Sequence, residues 1–137
     1  MNRTATYVTA LVLAHLPISI AHGLAHLELH VGLVRPDVIF VILVVLLLPL
    51  VALVLVWTAE KRLGLILLSL SMSGSLLFGI YHHFMVMSPD HVRSMPPNAW
   101  GLTFVLTAYA LAITEAFGTY VGVHFLWIAR APSNRVV

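Results

Sequence analysis

Residues 38–57 are almost uniformly aliphatic, which makes this stretch the strongest constraint on the fold. A helix of about 20 apolar residues spans the hydrocarbon of a bilayer. Three other segments of similar character predict further helices, so that the four cover roughly 5–30, 38–57, 63–87 and 102–128. Only 9% of the chain is charged, against about a quarter in a soluble domain. We therefore predict an all-α, integral membrane four-helix bundle, a single transmembrane domain over residues 1–137.

The basic residues predict how the bundle is oriented. In an antiparallel up-down arrangement, five of the seven fall on one side and two on the other. The five are Arg3, Lys61, Arg62, Arg130 and Arg135, and the two are Arg35 and Arg93. Because cytoplasmic loops carry the excess of Lys and Arg, both termini are predicted to be cytoplasmic. The setting is predicted to be a prokaryotic inner (plasma) membrane.

The sequence also limits which partners are to be expected. The basic residues are scattered, and the absence of a basic run argues against nucleic acid. The lipid bilayer is the main predicted partner. A homo-oligomer or a larger membrane complex is compatible with the sequence.

Six of the eight histidines are predicted to collect at the non-cytoplasmic end of the bundle, facing outside or the periplasm. They are His22, His26, His30, His82, His83 and His91. With His15, the histidines of the first helix fall within a sector of roughly 80° at about 100° per residue. The i, i+4 spacing of His22 and His26 lets two imidazoles reach one ion. Ionisable residues inside a membrane point to function by default.

The leading hypothesis is a transition-metal site for Cu, Fe or Zn, because neutral imidazoles suit these ions. His22, His26, His82 and His83 are the main candidates, with His30, His91 and Asp90 as alternates. No Cys is present, so the ligands would be imidazole and carboxylate, with thioether from Met85, Met87 or Met95 if the ion is copper. An open coordination position would permit redox or hydrolytic chemistry. Whether the protein is an enzyme is left open.

The residues around His82 and Asp90 allow two further predictions. His82 lies on nearly the same helical face as Ser71 and Ser75, which predicts that His82 points into the bundle and that His83 lies about 100° away. Asp90 directly follows Pro89, which favours a turn residue over a ligand.

A second hypothesis is a haem b electron-transfer subunit. One histidine of the first helix (His22 or His26) and one of the third (His82 or His83) would be the axial ligands. Gly23 and Gly79 would give the porphyrin room beside those helices.

A third hypothesis rests on Glu115, which is predicted to lie level with His15 inside the bundle. A carboxylate at that depth needs a partner, so the two are predicted to form a buried pair. The pair would be either a proton relay or a hydrogen bond that holds two helices together. If it carries protons, Glu115 could be the key residue of a small proton-coupled transporter.

Overall fold

The computed structural model describes residues 3–130, and within that range every regular element is a helix. The described residues form four long helices: α1 (Arg3–Glu28), α2 (Arg35–Val56), α3 (Lys61–Met85) and α4 (Ala99–Arg130). Each is long and apolar enough to cross a membrane. The all-α prediction with four such helices is thereby confirmed. Arg135, which was counted in the orientation argument, lies outside the described residues.

Side-chain contacts show that α1 runs opposite to both of its neighbours. The ring of Tyr7, near the start of α1, lies 6.1 Å from that of Phe125, near the end of α4. Further along α1, His22 bonds Thr107 in the first half of α4. The indole of Trp57, just after α2, donates to Thr9 Oγ1 over 3.0 Å. These contacts follow the up-down order that short connections between helices favour.

The interior of the bundle divides into two halves of different chemistry. The half that contains the start of α1 holds the apolar core. Its buried members are Ala5, Val8, Leu11, Val12, Ala52, Val56, Leu65, Leu68, Met72 and Val121. The other half buries polar side chains, and those of its far end include His22, His83, Asp90 and His91. Buried polar groups require partners, so this second half is where chemistry is to be sought.

Two of the four described helices contain a π turn, in which the hydrogen bonds run from residue i to i+5 and each turn takes more residues than in an α-helix. In α2 the π segment is Val41–Leu47. Pro49 follows it, and a proline ring clashes with the carbonyl of the residue four positions earlier, so the wider turn accommodates it. In α3 the π segment is Ile80–Met85, which contains the His82–His83 pair. Single π turns are frequent at functional sites.

The backbones of α2 and α3 approach each other closely at Gly64. A Cβ atom at this position would lie 2.9 Å from both Ala52 O and Val56 N, which are backbone atoms of α2. Because backbone cannot move aside as a flexible side chain can, Gly64→Ala is expected to lower the free energy of unfolding by about 1–3 kcal/mol.

Gly23→Ala is the matched control, since a Cβ there meets nothing within 4 Å. It should be neutral, or stabilising by up to about 1 kcal/mol, because alanine favours helix. Denaturant titration of the detergent-solubilised protein measures both. Equal stability of the two variants would contradict the close approach.

Candidate metal centre

Three imidazoles from two helices meet in the polar half of the bundle. His22 and His26 lie one turn apart on α1, and His83 lies near the end of α3. One nitrogen from each ring can be chosen so that all three lie within 4.8 Å of one another. We call these residues the histidine triad. His22 and His83 are buried, and His26 is partly buried, so the triad is sheltered from solvent.

The π turn in α3 decides which of two adjacent histidines joins the triad. An uninterrupted α-helix would put His82 on the face of Ser71 and Ser75, as predicted from the sequence. Both serines are buried, but the buried histidine is His83. The wider turn rotates the chain by less per residue, so that the next residue reaches the inward face. The predicted inward direction of His82 was therefore wrong.

His82 instead packs among aromatic side chains. Its ring centroid lies 4.3 Å from that of Phe78 and 5.1 Å from that of Tyr81. Its Nδ1 is 4.0 Å from a carboxylate oxygen of Asp90, too far for a hydrogen bond. Of the predicted ligands, His82 is thus close to the site but outside the triad.

A threonine of α4 fixes the tautomer of His22. The Thr107 hydroxyl donates its single proton to Thr103 O over 2.6 Å, with Phe104 O as a longer alternative at 3.1 Å. Its oxygen therefore acts as the acceptor for His22 Nδ1, which lies 2.8 Å away. A neutral imidazole carries one proton, so Nδ1 holds it and Nε2 keeps a free lone pair.

The end of α1 fixes the tautomer of His26 by a local route. His30 adopts a left-handed conformation with φ of 54°. Its amide bonds Leu27 O, and the next amide, that of Val31, bonds His26 O. This pair of bonds is the Schellman motif, which commonly ends helices. The motif folds the chain back so that Val31 O accepts from His26 Nδ1 over 3.1 Å, which leaves Nε2 without a proton.

The loop after α3 completes the set by binding His83. Asp90 O lies 3.1 Å from His83 Nδ1, and a carbonyl oxygen can only accept. All three rings of the triad thus carry their proton on Nδ1. The Nε2 atoms of His22 and His83 face each other at 3.2 Å. Two lone pairs repel at this distance unless a cation lies between them.

Asp90 places a carboxylate beside the triad. Its backbone lies in a turn, as predicted, but its side chain is buried rather than solvated. Oδ1 lies 3.3 Å from His83 Nδ1 and 3.4 Å from His26 Nε2, yet neither carboxylate oxygen has a hydrogen-bond partner. A buried carboxylate without partners is costly. The arrangement therefore provides negative charge where a cation would neutralise it.

Two further predicted ligands lie elsewhere. His30 comes after the end of α1, where its left-handed backbone turns the exposed ring away from the helical face of His22 and His26. His91 is buried, but its Nδ1 accepts from the Arg93 amide and its Nε2 bonds Phe84 O. With both nitrogens occupied, His91 has no lone pair left for a metal. It holds the loop that carries Asp90.

The structure also adds residues that the sequence reasoning missed. Phe104 of α4 is fully buried, and its ring packs against all three rings of the triad at centroid distances of 4.6, 4.9 and 5.3 Å. Thr107 lies one turn further on. Phe104 and Thr107 lie about three and two turns before Glu115 on the same side of α4, and Glu115 was predicted to lie inside the bundle. That helical face could have been extended toward Phe104 by its i, i+3 and i+4 spacing.

The predicted pairing of His15 with Glu115 is present. His15 Nε2 lies 3.4 Å from Glu115 Oε1, and both side chains are buried. The hydroxyl of Ser19 packs against the same imidazole at 3.4 Å while donating to His15 O. These buried polar side chains of α1 and α4 thus satisfy one another's hydrogen-bonding groups.

Glu115→Gln should keep the bundle stable, because the amide still offers an oxygen to His15. Glu115→Leu leaves that imidazole without its acceptor and is expected to lower the free energy of unfolding by about 1–3 kcal/mol. Denaturant titration in detergent compares the two. The exposed residue Ile113 provides a control, Ile113→Leu, which should leave stability unchanged. If Glu115→Leu were as stable as Glu115→Gln, the contact between His15 and Glu115 would make no contribution to the free energy of unfolding.

A cavity of about 590 Å³ adjoins the triad. Its lining includes His22, His26 and His83 and extends past Gly79 to Glu115. Most of the remaining wall is aliphatic, contributed largely by α1 and α2.

Comparison with protein-family models, with curated proteins and with solved structures finds no match to the chain.

Proposed function

We propose that the protein is an integral membrane protein that binds one divalent transition-metal ion through Nε2 of His22, His26 and His83. The observation that carries this proposal is the short distance between two Nε2 atoms whose protons are held elsewhere, at Nδ1. An ion between these atoms would replace the repulsion between their lone pairs with two metal–nitrogen bonds. Metal-binding histidines usually donate their other N–H to an oxygen, and each ring of the triad does so.

The spacing favours a tetrahedral ion, with Zn²⁺ as the best fit. Zn–N bonds of about 2.0–2.1 Å at tetrahedral angles separate two ligand nitrogens by roughly 3.3 Å, whereas right angles would give roughly 2.9 Å. The Nε2 atoms of His22 and His83 are 3.2 Å apart, which is nearer to the tetrahedral value. Three protein ligands with a fourth position open is the pattern of catalytic zinc sites. Such an ion acts as a Lewis acid on whatever oxygen occupies that position.

Charge and ligand type support a divalent ion over Cu(I). The Asp90 carboxylate would balance part of the charge of the ion. The ion would in turn remove the energetic cost of burying that carboxylate without a partner. Cu(I) prefers sulfur ligands, but the side chains of Met85 and Met87 are 68% and 70% exposed, and Met95 lines a different cavity from the one beside the triad. Fe²⁺ and Cu²⁺ accept imidazole as readily as Zn²⁺ does, and they are the competing outcomes of the test below.

A bare ion fits this geometry better than haem. The rings of His22 and His83 are in direct edge contact, with centroids 4.9 Å apart. Axial ligands on opposite faces of a haem iron would hold their nitrogens roughly 4 Å apart, twice a bond of about 2 Å, with the porphyrin plane between them. Contacting rings leave no space for that plane.

We further propose that the triad faces the non-cytoplasmic side of the membrane. Four long apolar helices support membrane insertion. The excess of basic residues at the end opposite the triad supports this orientation.

Elemental analysis of the purified protein tests the proposal. After growth with Zn, Fe and Cu all supplied, the protein in detergent should retain about one ion per chain. His22→Ala combined with His26→Ala should reduce this to trace level while the helical content is kept. Trace metal in the wild type, even after direct loading with Zn²⁺, Fe²⁺ or Cu²⁺, would refute the proposal.

A further inference from the structure

The cavity beside the triad has one polar wall and an apolar remainder. Its polar wall contains the triad itself together with Ser75 and Glu115. Ser75 is buried and its hydroxyl has no hydrogen-bond partner. Ligand sites generally combine an apolar lining with a few polar groups that fix orientation, in volumes of about 300–1,000 Å³. At about 590 Å³ the cavity falls within that range.

Much of the apolar wall comes from α2, which is the least buried of the four described helices. In the most apolar window of α2, 11% of residues are buried inside the protein, against 33% in α1 and α3. Val41, Ile42 and Val45 of its π segment all line the cavity. A molecule that enters between α1 and α2 would therefore come from the hydrocarbon of the bilayer, not from water.

Two glycines leave the space that such a molecule needs. At Gly23 a Cβ atom would meet nothing within 4 Å. At Gly79 a Cβ atom would lie 3.8 Å from His83 Cδ2 and 4.0 Å from Glu115 Oε2. The ring of His83 and the carboxylate of Glu115 thus both lie beside Gly79, which has no side chain of its own to cover them. A polar head group packed against Gly79 would approach both.

We propose that this cavity binds an uncharged, lipid-soluble aliphatic molecule whose single oxygen head group, of the alcohol type, coordinates the ion of the histidine triad. The proposal rests on the metal-binding function above. The bound ion would repel a cationic head group, and Glu115 with Asp90 would disfavour an anionic one. Entry through hydrocarbon excludes both kinds of charge. An alcohol oxygen can bind a metal and can also donate its proton to a carboxylate.

Photo-crosslinking in lipid vesicles tests the inference. The probe is a long-chain aliphatic alcohol that carries a diazirine on its chain, added to zinc-loaded protein. Label should appear at Val45 and Leu111, which line the cavity and are shielded from the outer surface. Unlabelled alcohol should compete for these positions, and an alkane of the same length should not. Label at the exposed residue Ile113 reports general contact with lipid and should respond to neither.

A plug variant with a matched control tests the position of the site. Gly23→Phe fills open space in the cavity and should abolish label at Val45 and Leu111. Ala14→Phe adds the same ring to an exposed part of α1 outside the cavity and should leave the label unchanged. Gly23→Leu, a smaller plug, provides a second variant should the phenylalanine perturb folding. Metal content measured on each sample shows that the triad is intact.

The outcomes separate this inference from the metal proposal. Bound metal without label at Val45 and Leu111, or equal competition by alkane and alcohol, would overturn the inference alone. Label without bound metal would overturn both the metal proposal and the assignment of the head group. Removal of zinc by a chelator should abolish the preference for alcohol over alkane while the alkyl chain still labels the cavity. A preference that survives zinc removal would also overturn the inference.

Discussion

His83→Ala is expected to weaken metal binding by more than roughly 100-fold, the upper range seen when only a supporting residue is lost. His82→Ala should leave metal binding within a few fold of the wild type. The two residues are adjacent in sequence and identical in chemistry, so they form a matched pair. They differ because the π turn at Ile80–Met85 directs only one of the rings into the triad.

Competition with a chromogenic zinc chelator measures both affinities on detergent-purified protein. His82→Ala removes an aromatic contact with Phe78 and thus controls for loss of a ring at the end of α3. Equal losses in the two variants would show that the metal is not held by the triad as described. A loss confined to His82→Ala would favour the uninterrupted helix predicted from the sequence.

Thr107→Val is expected to weaken zinc binding by about 10–100-fold, although Thr107 is not itself a ligand. Valine has nearly the shape of threonine but offers His22 Nδ1 no acceptor. The imidazole is then free to take the other tautomer, in which Nε2 carries the proton and cannot bind the ion. Thr107→Ser retains the hydroxyl and should remain within a few fold of the wild type.

The same chelator competition, with thermal unfolding of the metal-free proteins, distinguishes orientation of the ligand from stability of the fold. The expected pattern is a large loss of affinity in Thr107→Val with little change in stability. If the valine and serine variants bound zinc equally well, the hydrogen bond to His22 would have no part in metal binding.

Much of the fold follows from hydropathy alone. The stretch of the chain that became α2 could hardly be anything but a membrane-length helix, and the other three helices end within three residues of the predicted positions. The pairing of His15 with Glu115 also followed from counting residues along two straight α-helices. Regular geometry makes such estimates possible.

The site was harder to predict because it depends on departures from regular geometry. The segment Ile80–Met85 contains no proline or other residue that predicts a π turn. That turn directs His83, and not His82, into the bundle. His30 lies on the extrapolated helical face of His22, but α1 ends at Glu28. His91 has a suitable side chain whose nitrogens are both bound to backbone. Hydrogen-bond partners of this kind become visible only in three dimensions.

The Nδ1 hydrogen bonds of the three imidazoles are made to different parts of the chain, so they would form at different times during synthesis. The acceptor for His26 is local to the end of α1, and His83 with its acceptor follows on α3 and the next loop. The acceptor for His22 lies on α4, the last helix to be made. An early intermediate could therefore gather all three imidazoles while one of them still rotates freely. Only docking of the final helix would lock it, so tight retention of an ion would mark a fully assembled chain.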